Sequence, residues 1–364
     1  MKIGIIGTRG IPNYHGGFEQ FAEFFALHSK KKGHDVYVYN SHVHPYKKKE
    51  YKGVKIIHSY DPESKIGTIG QFIYDLNCIR DSRKRDFDII LQLGYTSSSV
   101  WGWILPARPI IITNMDGLEW KRSKYSKNVQ KFLLYAEKLA VKTSDYLISD
   151  SLEIQSYIKE KYKRDSEYIA YGANVFVPNI DIEFAFQELS PNEYFLLIAR
   201  MEPENNIEMI LDGYVSSNSN YPFCVVGNTE STSFGSYIKN KFDKYEGIRF
   251  FGAIYDLEVL NNIRYNSRLY FHGHSVGGTN PSLLEAMASS SLIASHRNDF
   301  NYAILEDDAF YFKSADEVAE IIQDHNKMEN LSIIKNNIKK IMTKFSWEFI
   351  NKSYLSFFKK CLDE

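Results

Sequence analysis

Lys2-Ile3-Gly4-Ile5-Ile6-Gly7 opens the chain, and the way this stretch continues decides the fold. A short apolar run stops at a glycine and a loop follows. Phe18, Phe21, Ala22 and Phe25 then recur at helical spacing, and Lys30-Lys31-Lys32-Gly33 supplies a basic last turn and a stop. Outward from this strand–loop–helix unit, further apolar runs follow at Val36–Tyr39, Val54–Ile57, Ile89–Leu91, Ile110–Thr113, Tyr146–Ile148 and Ser166–Ile169. Helical patterns lie between several of them. Strands that do not alternate with polar residues are buried on both faces, so the expectation is α/β: a parallel sheet covered by helices.

The pattern pauses at Phe176 to Pro191 and then restarts. Tyr194–Ala199 reads as a strand and Ile207–Gly213 begins a helix. Phe223–Val226, Ile248–Phe250, Leu269–His272, Leu292–Ala294 and Phe310–Phe312 are further strands. The reading is therefore two Rossmann-like doubly wound domains, 1–176 and 193–345, joined by a linker at 177–192. They face each other across a cleft at the carboxyl edges of their sheets, where such sheets bind ligands. The amphipathic tail 346–364 is expected to cross back to the first domain.

Composition bounds the partners. At 364 residues with 44% hydrophobic content the chain can fill two cores. Its most apolar region, Val100–Thr113, is interrupted by Pro106, Arg108 and Pro109 and falls short of the ~20 residues that a membrane span needs. Arg9 interrupts the opening apolar run, so no signal peptide is read there. Three widely spaced cysteines, Cys78, Cys224 and Cys361, suit a reducing cytoplasm and lack metal-site spacing. The net charge of −1 conceals an asymmetry: residues 1–176 hold 27 Lys/Arg against 19 Asp/Glu, and the rest 17 against 26. A basic first half suits an anionic surface. The clusters Lys30–Lys32, Lys47–Lys49, Arg83–Arg85 and Trp120-Lys121-Arg122 make an anionic membrane the expected partner, with no role for nucleic acid.

Four loops carry candidate chemistry. The first runs from Gly7 through Arg9, Tyr14 and His15 to Gly16-Gly17 at the start of a helix, where open N–H groups can meet a phosphate. It is not a nicotinamide site. G-x-G-x-x-G is absent, and the second strand ends in Asn40 where an acid should hold the ribose. The second loop, His272-Gly273-His274-Ser275-Val276-Gly277-Gly278-Thr279-Asn280-Pro281, leads into a helix carrying Glu285. Thr279 or Asn280 can cap that helix, Pro281 suits its first turn, and Glu285 can accept from a ribose hydroxyl. A carboxylate near a helix start also simply complements the dipole. The third is Arg200, directly after a strand, placed to stabilise charge on a departing diphosphate. In the fourth, Asn114–Arg122, Asp116 or Glu119 can bind sugar or acceptor hydroxyls.

Two further patterns read as structural. Asp86-Phe87-Asp88 has the D-x-D form of a metal site but stands at the start of a strand. His272 and His274 lack a third ligand for zinc.

Together the four clusters resemble family-4 retaining glycosyltransferases of the GT-B fold. The closer similarity is to the capsule and cell-wall subgroup that includes streptococcal β-1,4-L-rhamnosyltransferases, and it spans nearly the whole chain. Two positions depart from the wider family. Gly277 stands where the first acid of a paired-glutamate motif is usual, and Asn205 stands where a lysine follows the phosphate arginine. The resemblance implies metal-independent, cofactor-free transfer with retention, through a front-face ion pair needing no protein nucleophile. It also implies dTDP-L-rhamnose as donor and a lipid-linked saccharide acceptor at the cytoplasmic membrane face. In this reading Arg200, Asp116 and Glu285 are catalytic. The donor set is Gly16, Gly17, Arg200, Asn205, His274, Gly277, Gly278, Thr279, Asn280 and Glu285. The acceptor set is Arg9, Tyr14, His15 and Glu119. Two alternatives stand beside it: a transferase of the same fold using a UDP-hexose or UDP-N-acetylhexosamine, and a non-catalytic sugar-nucleotide-binding subunit of a polysaccharide assembly complex.

Overall fold

The computed structural model describes every residue except His15, Asp116, Ser123 and 179–188. The chain divides into two compact units. The first comprises Met1–Lys121, Tyr125–Tyr171 and Trp347–Glu364; the second comprises Arg122–Lys124 with Gly172–Ser346.

The first unit is built on strands β1 (Lys2–Ile6), β2 (Asp35–Ser41), β3 (Glu50–Tyr51), β4 (Val54–Ser59), β5 (Ile89–Leu93), β6 (Ile110–Met115), β7 (Tyr146–Ser149) and β8 (Glu167–Tyr168). Their order in the sheet is β3-β4-β2-β1-β5-β6-β7-β8, parallel throughout except for the β3–β4 pair. From β1 the chain winds one way through β2 to β4, then returns and winds the other way from β5. Right-handed crossovers therefore place helix Gly17–Lys31 on one face and helices Ile69–Ser82 and Lys127–Thr143 on the other. Strand alternation agrees with this. Ile6, Ile90 and Ile111 cluster with Tyr74, Cys78 and Ile79 of helix Ile69–Ser82.

The tail forms helix Trp347–Asp363, which packs on helix Gly17–Lys31 through aromatic pairs: Phe21–Tyr354 at 4.7 Å, Phe25–Phe358 at 5.5 Å and Phe24–Trp347 at 4.6 Å. Asn114 donates to the Tyr354 hydroxyl at 3.0 Å, so the tail also reaches the end of β6. The aromatic richness of the sequence is spent largely on such packing.

In the second unit β9 (Phe195–Ile198), β10 (Phe223–Val226), β11 (Ile248–Phe250), β12 (Leu269–His272), β13 (Ile293–His296) and β14 (Phe310–Phe312) form an all-parallel sheet ordered β11-β10-β9-β12-β13-β14. Counted from β9, this is the 3-2-1-4-5-6 order of a dinucleotide-binding sheet, and its switch point lies between β9 and β12. Leu197, Phe223, Phe271, Ile210, Leu211 and Phe312 form its core, all at most 1% exposed. The strand positions read from sequence hold, with ends shifted by one or two residues. The two-residue edge strand β3 carries no apolar run and was not legible. Of the expected linker 177–192, residues 179–188 lie outside those described.

Candidate nucleotide-sugar site

At the switch point of the second sheet, two loops are held against each other. After β9 the chain passes Arg200 and turns through Pro203–Asn205 into helix Ile207–Ser217. After β12 it passes Gly273 and His274. The backbones come so close that a Cβ on Gly273 would sit 1.9 Å from the Asn205 carbonyl oxygen, so only glycine fits. Asn206 donates to the Gly273 carbonyl at 2.7 Å, and Ser275 donates to the Glu204 carbonyl through its amide at 3.0 Å and its hydroxyl at 2.8 Å.

Asn205 organises the centre of this junction. Its Nδ2 donates to the Arg200 carbonyl at 2.7 Å, which turns its Oδ1 toward His274 Nδ1 at 2.9 Å. An acceptor there requires the proton on Nδ1. The ring is otherwise kept neutral. Burial, then Arg122, then Arg200 pull the His274 pKa down to about 4, against a smaller opposing effect of the Val276 backbone. The His274 carbonyl accepts from Asn298 at 3.0 Å and Asn301 at 2.9 Å, so the loop after β13 fixes this residue as well. Gly277 has φ +138°, and a Cβ there would lie 3.0 Å from His274 Nε2. An acid at this position would need a strained backbone and would strike the ring.

The helix Pro281–Ala288 begins as its sequence indicates. Asn280, rather than Thr279, is the cap: its side chain accepts from Ser282 N at 2.9 Å, with Pro281 in the first turn. Thr279 is buried beside it. Glu285 does not simply face outward. Its Oε2 pairs with Arg264 at 2.8 Å, and Arg264, 1% exposed, also donates to Ser282 Oγ at 3.1 Å and Asn261 Oδ1 at 2.9 Å. The dipole account of Glu285 is thus joined by an ion pair.

Sequence reasoning missed two cations of this unit. Arg264 lies in the last turn of helix Leu257–Tyr265 and carries no motif. Arg122, grouped with the second unit, lies 3.8 Å from the buried carboxylate of Glu204 and helps depress the His274 pKa. In the sequence it appears as the last residue of the Asn114–Arg122 loop and in a basic cluster, with no role of its own assigned. Arg200 itself is exposed. Arg122 and Arg200, both acting on the neutral His274, share the second unit with the capped helix N-terminus at Pro281, a combination suited to a polyanion.

In the first unit the loop after β1 is latched rather than open. Glu19, buried on the first turn of helix Gly17–Lys31, accepts from Arg9 N at 2.8 Å and Thr8 Oγ1 at 3.3 Å. Asn40, at the position a dehydrogenase would fill with an acid, accepts from Ile11 N at 3.1 Å and donates to Ile11 O at 2.8 Å. The Arg9 guanidinium pairs with Glu63 and lies 3.9 Å from buried Asp61. Asp75 sits close by, buried, accepting from Ser97 Oγ at 2.5 Å, and burial pushes its pKa up to about 6. Tyr14 is exposed, edge-on to His44 at 5.5 Å. Gly16 caps its helix without a side-chain bond, and Gly17 accepts from the Tyr171 hydroxyl at 2.9 Å. Glu119 lies in a single turn, Glu119–Lys121, after β6. Asp116 and His15 lie outside the described residues.

The two patterns read as structural also find partners. Asp88 accepts from Lys2 N at 2.6 Å and ties the start of β5 to β1. The rings of His272 and His274 are 6.1 Å apart, and burial holds His272 well below the usual imidazole range.

Two doubly wound parallel sheets in tandem, the second of Rossmann order, define the GT-B fold. Residues 104–174 match a family model described as a domain of unknown function, DUF1972. No curated protein matches the chain. Among solved structures it is similar to sucrose-phosphate synthase (tll1590) from Thermosynechococcus elongatus, with a TM-score of 0.80 at 17% identity over 100% of this chain and 99% of that one. Anabaena HepE in complex with UDP-glucose gives 0.76 at 14% identity over 98% and 99%. A glycosyltransferase from Rickettsia africae gives 0.74 at 14% identity over 99% and 98%. At such identities the likeness is one of fold, along the full length of each chain.

Proposed function

We propose that the chain is a retaining, metal-independent glycosyltransferase that moves a hexose from a nucleotide diphosphate onto a saccharide acceptor. The observation that carries this reading is the junction of Arg200, Asn205 and His274 at the switch point of the second sheet, ahead of the helix that starts at Pro281. In this reading the diphosphate meets Arg200 and the N–H groups around Gly278–Asn280. The second oxygen of Glu285 takes a ribose hydroxyl, and the sugar rests near His274 and Gly277. The first unit takes the acceptor through Arg9, Tyr14, His15 and Glu119, with Asp116 as its catalytic residue, while Gly16 and Gly17 at the start of its first helix complete the donor set.

The chemistry is a same-face displacement. The bond from the anomeric carbon to the diphosphate oxygen breaks, and its electron pair leaves with the phosphate. The acceptor hydroxyl attacks from that same face and passes its proton to a departing phosphate oxygen. Arg200 offsets the growing charge, the largest kind of effect a preorganised site offers.

On the sequence resemblance the donor is dTDP-L-rhamnose and the acceptor a lipid-linked saccharide of capsule or cell-wall assembly, met at the cytoplasmic face of the membrane. A UDP-hexose is the second reading, favoured by the similarity to HepE, whose structures hold UDP and UDP-glucose. Product formation against a panel of dTDP- and UDP-sugars tests both. Transfer from dTDP-L-rhamnose supports the first and transfer from a UDP-sugar the second. Binding without transfer from any donor would leave a sugar-nucleotide-binding subunit.

A further inference from the structure

The first unit carries an exposed apolar and basic face that the site above does not use. Helix Lys127–Thr143 presents one outward stripe: Val129, Phe132 and Tyr135, 40%, 36% and 56% exposed, among the exposed lysines Lys127, Lys131, Lys138 and Lys142. Its only acid, Glu137, is buried and bonded to Tyr157, Tyr162 and Lys161. The outward stripe therefore has aromatic and cationic residues and no carboxylate.

Two neighbouring segments extend this surface. Phe72 of helix Ile69–Ser82 meets Phe132 with ring centroids 5.8 Å apart. The turn Ser99–Ile104 is pinned to that helix by the Trp101 indole, which donates to the Phe72 carbonyl at 2.8 Å, and by Arg83, which donates to the Ile104 carbonyl at 2.7 Å. The same turn meets helix Lys127–Thr143 so closely that a Cβ on Gly102 would lie 2.5 Å from Thr143. The result is one contiguous platform. Trp103 stands 78% exposed on it and Ile69 66%, and a recess of about 340 Å³ is lined by Leu76, Arg80, Arg83, Trp101, Trp103 and Ile104. Among the described residues no helix is long and apolar enough to cross a membrane.

The geometry points to this platform as a docking surface for an anionic lipid bilayer. Exposed rings can sit at headgroup depth while lysines and arginines around them meet lipid phosphates. A soluble protein partner of ordinary surface composition would not select four lysines with no interspersed acid on one helix face. Lys30–Lys32, which the sequence offered as part of the same basic surface, end the helix on the opposite face of the sheet and do not belong to this one. The inference accords with a lipid-linked acceptor but does not rest on one. Vesicle binding is read without any sugar donor, so its failure and that of the transferase reading are separable.

The test is sedimentation of the full chain with vesicles of equal parts phosphatidylglycerol and phosphatidylcholine at low salt, against phosphatidylcholine alone. The chain should pellet with the anionic vesicles, be released by added salt and stay in solution with the neutral ones. Trp103→Ser with Phe132→Ser, and separately Lys131→Glu with Lys138→Glu, should each weaken partitioning about tenfold or more while thermal melting stays unchanged. Lys30→Glu with Lys31→Glu should leave it within a few fold. Equal pelleting of the wild type and the two platform variants would overturn the assignment. So would a wild type that stays in the supernatant with anionic vesicles, or one that forms dimers through this face without binding lipid.

Discussion

His274 Nδ1 lies 2.9 Å from Asn205 Oδ1, and because the same amide donates to the Arg200 carbonyl at 2.7 Å, that contact fixes the imidazole tautomer. Nitrogen NMR should show a neutral ring protonated on Nδ1 at pH 7, titrating near pH 4. His274 is depressed in the folded state, so the unfolded chain binds the proton more readily between about pH 6.5 and 4. Stability is then lost as pH falls through that window, by about 3 kcal/mol at most from this residue. His274→Gln should flatten the slope of unfolding free energy against pH there. An unchanged slope would mean that His274 is not the titrating group.

A side chain at Gly277 should be costly. With φ +138° and the His274 ring 3.0 Å from where a Cβ would stand, Gly277→Ala should cost about 1–3 kcal/mol through strain alone. Gly277→Glu, which restores the acid usual in the wider family, should lower turnover rather than raise it. A Glu variant with improved kcat would show that the loop can open.

Glu285 should matter to folding as well as to binding. Truncation to Ala strands the buried Arg264 guanidinium, and losing one partner of such a pair costs about 3–5 kcal/mol. Chemical denaturation of Glu285→Ala checks this. The ribose role needs the milder Glu285→Gln, which should fold and bind nucleotide diphosphate about 1.5 kcal/mol more weakly. Calorimetry that gives unchanged affinity for both dTDP and UDP would remove Glu285 from the site.

Asp75 has the opposite pH sign to His274. Its folded pKa is raised to about 6 from 3.8, so its contribution is most favourable below pH 3.8 and is lost as pH rises through 6. At pH 8 the buried charge costs about 3 kcal/mol at most. Asp75→Asn should keep the Ser97 bond, raise the melting temperature at pH 8 and give far less gain at pH 4. Equal effects at both pH values would contradict the burial argument.

The fold was legible because apolar runs without alternation mark buried parallel strands, and Ile3–Ile6 and Phe195–Ile198 are plain examples. The turn from His272 into the helix at Pro281 was legible because Gly273, Asn280 and Pro281 each meet a local backbone demand. What could not be read were relationships between distant residues. Arg264 reaches Glu285 from the preceding helix, and Asn40 secures the first loop from the next strand. Neither belongs to a local motif. Charge clustering also misled in part, since a count over 176 residues cannot tell that Lys30 and Arg83 lie on opposite faces of one sheet.

The central claim is that Arg200 stabilises a departing nucleotide diphosphate, and the most direct measurement is turnover by Arg200→Ala against the wild type with the donor the wild type uses. Arg200 is exposed, so the variant should melt with the wild type. Its kcat should fall by about 10²–10³, the size expected for one lost contact to developing charge. A folded variant retaining near-normal kcat would contradict the account.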